Sequence, residues 1–202
     1  MKKILCLFVL LLLSSSLLAQ TKSFKFNLYG GFELPEEAKL HVGKANGFNV
    51  SFDMKYYVHD RIYALGTVYT AKMKGDQDCI INLSDGSTLD GEERKKSTNT
   101  FVGLGLGYDF IKAKRHTVFL QGAFGLTSEN LESEKIHDSD PSTDTYVAYE
   151  FDRLVYADWG IIGKIGYSYQ INKWLGVGVA YSVNYLNMSV SQGFQGGLQL
   201  SF

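Results

Sequence analysis

Three consecutive residues, His137-Asp138-Ser139, have the side-chain types of a hydrolytic site. A histidine can serve as the general base for a serine nucleophile, and residues two apart in a strand share one face. The triplet therefore has the spacing of an acyl hydrolase. It lies in a polar segment that lacks the alternation of a strand, so we expect a loop position and no catalytic residue.

The same segment, 127–152, carries eight acidic residues and could be taken for a calcium loop. Asp138 and Asp140 have the spacing of the first two ligands of such a loop. A calcium loop of this kind also needs a glycine at its sixth position and a glutamate at its twelfth. Those positions hold Thr143 and Tyr149. We therefore expect a solvated acidic loop, with no metal site and no cofactor site.

The chain opens with the pattern of a secretory signal peptide. Met1-Lys2-Lys3 is basic, 4–13 is apolar, and the serine-rich stretch that follows leads to Ala19. The apolar run is shorter than the roughly 20 residues that span a bilayer as a helix. The pattern predicts a helical signal peptide over 1–19, cleaved before Gln20, and a mature domain over 20–202.

The mature chain has 18 basic and 21 acidic residues, a net charge near −3. This balance gives no basic surplus that would favour nucleic acid. Cys6 is lost with the signal peptide, which leaves Cys79 as the one mature cysteine. An internal disulfide is therefore excluded in the exported protein.

The mature sequence alternates between apolar and small or polar residues over eight segments. This period of two predicts strands, because successive side chains of a strand point to opposite faces. Each predicted strand is about 10 to 14 residues long, which suits a strand that crosses a membrane at a tilt. The segments are 24–33, 48–58, 62–73, 101–110, 118–127, 155–169, 175–185 and 190–202.

The connections between these strands alternate in length. Three are short, near 58–61, 111–116 and 170–173, whereas 34–45, 74–97 and 127–152 are long and 186–189 is intermediate. Short turns at one end and long loops at the other are typical of an outer-membrane barrel. An even strand number then puts both mature termini at the short-turn, periplasmic end. Asp85-Gly86 is a hairpin signal, so 74–97 could continue the sheet above the membrane.

The interior of an eight-stranded barrel has room for side chains and little more. We therefore place the small and polar set inside and the large apolar set against lipid. For 62–73 the choice is ambiguous; we assign Tyr63, Leu65, Thr67, Tyr69, Ala71 and Met73 to the lipid face, although Ile62 and Val68 argue against it. The interior charges need partners, and Lys25–Asp53 is the contact we expect.

The aromatic residues near the short turns are interpreted as an interfacial girdle. They are Tyr56, Tyr57, Tyr63, Tyr108, Phe110, Tyr167, Tyr169, Trp174 and Phe202.

The whole mature chain resembles the OmpA/OmpX-like family of eight-stranded outer-membrane β-barrels. The resemblance rests on the eight alternating segments and on the last strand, which ends at Phe202 with apolar residues at most alternate positions before it. It implies an all-β, antiparallel, up-and-down transmembrane barrel that is a monomer in the outer membrane, surrounded by lipid and lipopolysaccharide. It also implies that the barrel assembly machinery recognises the strand ending at Phe202.

Three functional hypotheses follow. The first is a non-enzymatic outer-membrane protein with an envelope-structural or surface-interaction, adhesion-like role, binding a partner through loops 74–97 and 127–152. The second is an outer-membrane acyl hydrolase, because the spacing of His137 and Ser139 is similar to that of outer-membrane lipid A deacylases. The third is a soluble periplasmic barrel that binds an apolar ligand inside. The sequence favours the first.

Overall fold

The described residues form one closed antiparallel sheet. The computed structural model describes residues 23–35, 44–82, 86–140 and 145–202, so the predicted signal peptide over 1–19 lies outside the described residues. Each strand pairs with the next, and β8 pairs with β1 to close an eight-stranded barrel. The strands are β1 (Phe24–Pro35), β2 (Lys44–Tyr57), β3 (Ile62–Asn82), β4 (Thr88–Ala113), β5 (His116–Asp140), β6 (Thr145–Gln170), β7 (Leu175–Leu186) and β8 (Ser189–Ser201). The all-β, up-and-down fold expected from the alternation is confirmed.

The outer surface of the barrel is a belt of exposed apolar side chains. Leu104, Leu126 and Phe32 are 77%, 75% and 74% exposed, and apolar residues of the other strands complete the ring. The alternate residues point inward, where Asn27, Asp53 and other polar side chains are fully buried. A barrel with its polar side chains inside and its apolar side chains outside is suited to lipid. Closure also pairs the backbone groups of the barrel wall, as a bilayer requires.

The face assigned to β3 from the sequence is wrong. Tyr63, Leu65, Thr67, Tyr69, Ala71 and Met73 point into the barrel and are at most 3% exposed. Ile62 and Val68 are exposed to the outside instead. The large inward side chains fit because the neighbouring inward positions of β4 are small: Tyr63 pairs with Gly107 and Leu65 with Gly105.

Rings of the predicted aromatic girdle point outward, except those of two tyrosines, for which the prediction is wrong. Tyr108, Phe110, Trp174 and Phe202 are exposed near the short turns, whereas Tyr57 and Tyr63 are buried in the lumen. Successive residues of a strand point to opposite faces, so an aromatic ring near a turn can point into the lumen as readily as toward the membrane.

The tight turns agree with the predicted connections. At the short-turn end, β4 and β5 are joined through Lys114 and Arg115, and Lys114 has a positive φ of 48°. At the other end, β7 and β8 are joined through Asn187 and Met188, with φ of 50° and 61°. Two successive positive φ values are the geometry of a two-residue hairpin, whose twist matches that of the flanking strands.

Two of the predicted long loops are for the most part continuations of strands. β3 and β4 stay paired up to Asn82 opposite Thr88, and β5 and β6 up to Asp140 opposite Thr145. The segments predicted as loops 74–97 and 127–152 therefore form a sheet above the barrel. Gly86, with φ of +85°, lies at the tip of the first hairpin, where the hairpin signal predicted a turn.

We call this part of the molecule the projecting sheet. It consists of 77–82 of β3, 88–98 of β4, 128–140 of β5 and 145–159 of β6. Its lateral strands separate from the barrel wall because the pairing of β2 with β3 ends at Lys44 opposite Asp76. The hairpin signal predicted the extension of 74–97, and the pairing of β3 with β4 agrees with it. The extension of 127–152 was not predicted, because charged and polar residues on both faces of a strand above the membrane remove the apolar alternation.

Candidate functional site

A hydrogen-bonded cluster closes the middle of the lumen around Asp53. Lys164 Nζ lies 2.9 Å and 3.0 Å from the two carboxylate oxygens of Asp53. Thr67 Oγ1 donates to one of these oxygens at 2.5 Å, and Gln121 Nε2 donates to the other at 2.8 Å. Lys164 also donates to Ser51 Oγ at 2.8 Å. The buried charges are thus paired, as burial away from water requires.

The expected contact between Lys25 and Asp53 is not formed. In the register of β1 and β2, Lys25 is opposite Lys55, while Asp53 is opposite Asn27. The ammonium of Lys25 lies over the ring of Tyr57 instead, 5.1 Å from its centroid. The partner of Asp53 comes from β6, across the barrel, which no local pairing rule could indicate.

A second acidic cluster, around Glu33, joins the strands at the closure of the barrel. Asn49 Nδ2 donates to Glu33 at 2.7 Å and Asn184 Nδ2 at 2.9 Å. Ser191 Oγ also donates to Glu33. These residues belong to β1, β2, β7 and β8, so the side chain of Glu33 connects both sides of the seam at which β8 meets β1.

Lys55 occupies an aromatic environment between the two ends of the lumen. Its Nζ lies 3.8 Å from the centroid of the Phe119 ring and 4.6 Å from that of Tyr63, and it donates to Tyr63 Oη at 3.2 Å. An ammonium over aromatic faces is stabilised by the ring quadrupoles. With the Asp53 and Glu33 clusters, this packing occupies the described part of the lumen with buried side chains.

Seven charged residues, Lys25, Glu33, Asp53, Lys55, Asp109, Asp158 and Lys164, belong to the polar set that the alternation places inside. Five of them are fully buried there. They are Glu33, Asp53, Lys55, Asp109 and Lys164. Lys25 and Asp158 are only half-buried, because they lie near the two ends of the barrel. Tyr57 Oη donates to Asp109 at 2.9 Å, so a tyrosine is a hydrogen-bonding partner of this carboxylate.

A carboxylate at the centre of the projecting sheet connects three of its strands. Glu93 of β4 accepts hydrogen bonds from Gln77 of β3 at 2.6 Å and from Ser133 of β5 at 2.7 Å. Lys95 Nζ lies 3.4 Å from the same carboxylate. Burial opposes ionisation, but the hydrogen bonds from Ser133 and Gln77 and the charge of Lys95 outweigh it and hold the pKa of Glu93 below its ordinary value.

The outer strand of the projecting sheet has one edge without a strand partner. β6 pairs with β7 only from Gly160 opposite Leu186 to Gln170 opposite Gly176. Over 145–159, β6 pairs with β5 alone among the residues that the structure describes. Apolar side chains along this edge are exposed: Phe151 is 63% and Val155 66% exposed, and Leu154 and Tyr156 are 49% and 47% exposed.

The candidate hydrolase pair lies far from the apolar belt. His137 is in β5, and its Nδ1 lies 2.7 Å from the carbonyl oxygen of Asp90. It is eleven residues beyond Leu126, the last large apolar residue of β5 in the belt, or about 36 Å along a strand. The side chain of Ser139 lies outside the described residues. The placement of His137 does not favour attack on the acyl chains of a membrane lipid.

The remaining candidate ligands do not form a metal site in the part of the chain that is described. There, no group of three or more His, Cys, Asp and Glu side chains could hold a metal ion. The side chains of Asp138, Asp140 and Tyr149, and the whole of Thr143, lie outside the described residues. Within the same described ranges, no helix is long and apolar enough to cross a membrane.

Known proteins resemble this chain in structure. No protein-family model matches the sequence, and a comparison with curated proteins finds no match. Neisserial surface protein A (NspA) matches with a TM-score of 0.51 and 14% identity, covering 90% of this chain and 97% of its own. Ail, the attachment invasion locus protein of Yersinia pestis, gives 0.48 and 12%, covering 90% and 98%. A major outer membrane protein from Thermus thermophilus gives 0.47 and 11%, covering 91% and 100%.

The fold is that of a transmembrane β-barrel of the outer-membrane type. The apolar outer belt, the filled polar lumen and the match to NspA all agree with this class. The resemblance to OmpA/OmpX-like eight-stranded barrels is thereby confirmed at the level of the fold. A soluble barrel with an apolar ligand inside is not supported, because the lumen is occupied by hydrogen-bonded side chains.

Proposed function

We propose that this chain is a non-enzymatic integral outer-membrane protein that binds a partner outside the cell through its projecting sheet. Both mature termini lie at the short-turn, periplasmic end, and the assembly machinery recognises the strand that ends at Phe202. Lipid and lipopolysaccharide surround a monomeric barrel. The filled lumen supports a role at the surface over one in conduction.

One observation carries the proposal: the unpaired edge of β6 over 145–159. A strand edge presents a row of unpaired N–H and C=O groups, and proteins normally shield such edges with charge, proline or a covering element. Here the edge is long, and Phe151, Leu154, Val155 and Tyr156 are exposed along it. It therefore has the properties of a template for strand addition, in which backbone hydrogen bonds give affinity and side chains give specificity.

The partner that fits this edge is an extended polypeptide segment with apolar side chains. Arg153 is the one basic residue in 150–158, against Glu150, Asp152 and Asp158. The net negative charge of 150–158 favours a partner segment that also carries basic residues. Attachment through such an edge would give the surface-interaction, adhesion-like role expected from the sequence.

The test compares two substitutions at equally exposed positions on the two lateral strands of the projecting sheet. Cells that display the chain are incubated on wells coated with extracellular-matrix proteins and on epithelial monolayers, with cells lacking it as reference. Val155→Lys places a charge on the β6 edge, and Ile80→Lys does the same on β3; the two residues are 66% and 65% exposed. We expect Val155→Lys to weaken attachment at least about tenfold, as for a central interface residue, and Ile80→Lys to leave it unchanged.

Two results would overturn the proposal. One is wild-type attachment no greater than that of cells without the protein. The other is equal attachment by the Val155→Lys variant and the wild type. A heat-dependent shift in gel mobility, measured for every variant, ensures that a loss of attachment is not a loss of the folded barrel.

A further inference from the structure

Three lysines form a basic cluster on the outer face of the barrel where it meets the projecting sheet. Lys72 and Lys74 are on β3 and Lys96 is on β4, and all three side chains are exposed. Lys74 pairs directly with Lys96 in the register of the two strands. Like charges in directly opposite positions destabilise a sheet, so this arrangement carries a cost unless an anion lies between them.

The described residues offset only part of the charge of this cluster. In the described ranges, none of the three ammonium groups forms an ion pair or a hydrogen bond. Glu132 of β5 is opposite Lys96, but its carboxylate lies 3.9 Å from Nε of Arg153. Three lysines thus face the one carboxylate of Glu132 among the described residues of the recess, which leaves a net positive charge on the outward face.

The height of the cluster above the apolar belt matches the headgroup region of a bilayer. Val68 is the last outward apolar residue of β3 below the cluster, and Thr70 separates it from Lys72. Four residues span about 13 Å along a strand, and the tilt of a barrel strand reduces this to about 10 Å along the membrane normal. Long lysine stems can reach back from this height toward lipid headgroups.

An apolar surface lies directly beside the lysines. One row of the register runs from Phe32 on β1 through Phe48 on β2 to Lys72. The two rings are 74% and 54% exposed. Together with Lys74, Lys96 and the acidic Glu132, these residues line a recess of about 650 Å³. The recess thus combines a basic rim with an aromatic wall inside the belt, which is the complement of an amphiphile with an anionic head.

We propose that Lys72, Lys74 and Lys96 bind the phosphate of an anionic lipid in the leaflet nearest the projecting sheet, with its acyl chain against Phe32 and Phe48. The site holds this lipid beside the base of the projecting sheet. Soluble polyanions share the same charge, but they would not use the aromatic wall. The lipid site is separate from the β6 edge, and its test needs no extracellular partner.

The test uses the full chain in vesicles of equal parts phosphatidylcholine and phosphatidylglycerol, extracted gently and examined for retained lipid by native mass spectrometry. We expect the wild-type protein to retain phosphatidylglycerol in preference to phosphatidylcholine. Lys74→Gln/Lys96→Gln should reduce this preference about fivefold per lysine, since a basic residue near an anionic surface contributes about this factor. Lys74→Arg/Lys96→Arg should keep it, and high salt should weaken it.

The matched control is Lys114→Gln/Lys173→Gln, which removes two exposed lysines at the opposite, short-turn end. It should retain phosphatidylglycerol as the wild type does. Equal retention by the Lys74/Lys96 glutamine variant, or equal loss in the control, would overturn the proposal. So would binding of dextran sulfate through these lysines in pure phosphatidylcholine vesicles without any preference for phosphatidylglycerol. The heat-dependent gel shift verifies a closed barrel in each variant.

Discussion

The ammonium of Lys164 on β6 lies within 3.0 Å of both carboxylate oxygens of Asp53 on β2, the strand directly across the barrel. Both side chains are almost completely buried, with 1% and 0% of their surface exposed. The pair therefore connects opposite walls in a region without bulk water. It closes the lumen at this level, and each buried charge is compensated by the other.

Replacing one member of this pair should destabilise the barrel more than replacing both. We expect Lys164→Met to lower the free energy of unfolding by about 3–5 kcal/mol, because Asp53 is left buried and unpaired. The measurement is urea unfolding in detergent micelles, followed by tryptophan fluorescence. The double variant Asp53→Asn/Lys164→Met should lose less than Lys164→Met alone, and so less than the sum of the single losses. Strict additivity would mean that the two charges are not coupled.

The luminal aromatic rings should depend on glycines of the neighbouring strand. A Cβ at Gly107 would collide with Cζ of Tyr63, so Gly107→Ala forces the ring or the strand to move. We expect a loss of about 1–3 kcal/mol in unfolding free energy, as for other overpacked sites.

The outward Gly196 provides the control, because a Cβ there meets nothing within 4 Å. Gly196→Ala should change stability by less than about 0.5 kcal/mol. Adding Tyr63→Leu to Gly107→Ala should recover part of the loss if the ring is the obstacle. A Gly107→Ala variant as stable as wild type would show that the lumen is less tightly packed than its contacts indicate.

The position of the membrane can be tested with one substitution in the belt and one above it. Leu104 is 77% exposed on the barrel and Ile80 is 65% exposed on the projecting sheet. In lipid vesicles, Leu104→Lys should cost about 2–4 kcal/mol, because it puts a charge into the hydrocarbon region. Ile80→Lys should change stability by less than about 0.5 kcal/mol, since water already surrounds it. Equal effects would argue against the placement of the belt in lipid.

The projecting sheet should loosen at acidic pH through Glu93. Its pKa in the folded protein lies below the ordinary value, so the carboxylate stabilises the sheet above the ordinary pKa. This contribution is lost as the pH falls through the lower, folded-state pKa. We expect a decrease of less than about 1 kcal/mol, because the region is partly solvated.

Hydrogen exchange of the β4 and β5 amides, corrected for the intrinsic pH dependence of exchange, measures this effect. Glu93→Gln should remove most of the pH dependence. Glu132→Gln is the control, because its contact with Arg153 at 3.9 Å is an exposed pair of little energetic value. If the two variants respond to acid in the same way, Glu93 is not the responsible group.

The sequence by itself determined the strand number, the antiparallel order and most of the faces. Alternation over 101–110 and 118–127 placed the large apolar set, including Leu104 and Leu126, against lipid, and both side chains are exposed on the outside. This worked because a membrane strand has only two environments, so a period of two separates them. The two-residue connection at Asn187 and Met188 was likewise indicated by its length.

Only the tertiary structure decided the face of β3, the partner of Asp53 and the extent of the projecting sheet. The face of β3 depends on space that glycines of β4 provide, and Lys164 meets Asp53 only because the sheet closes into a ring. Above the membrane, both faces of a strand meet water, so 77–98 and 128–154 lack the apolar alternation. These features arise from contacts between residues far apart in the chain, so the residue pattern of a single strand cannot predict them.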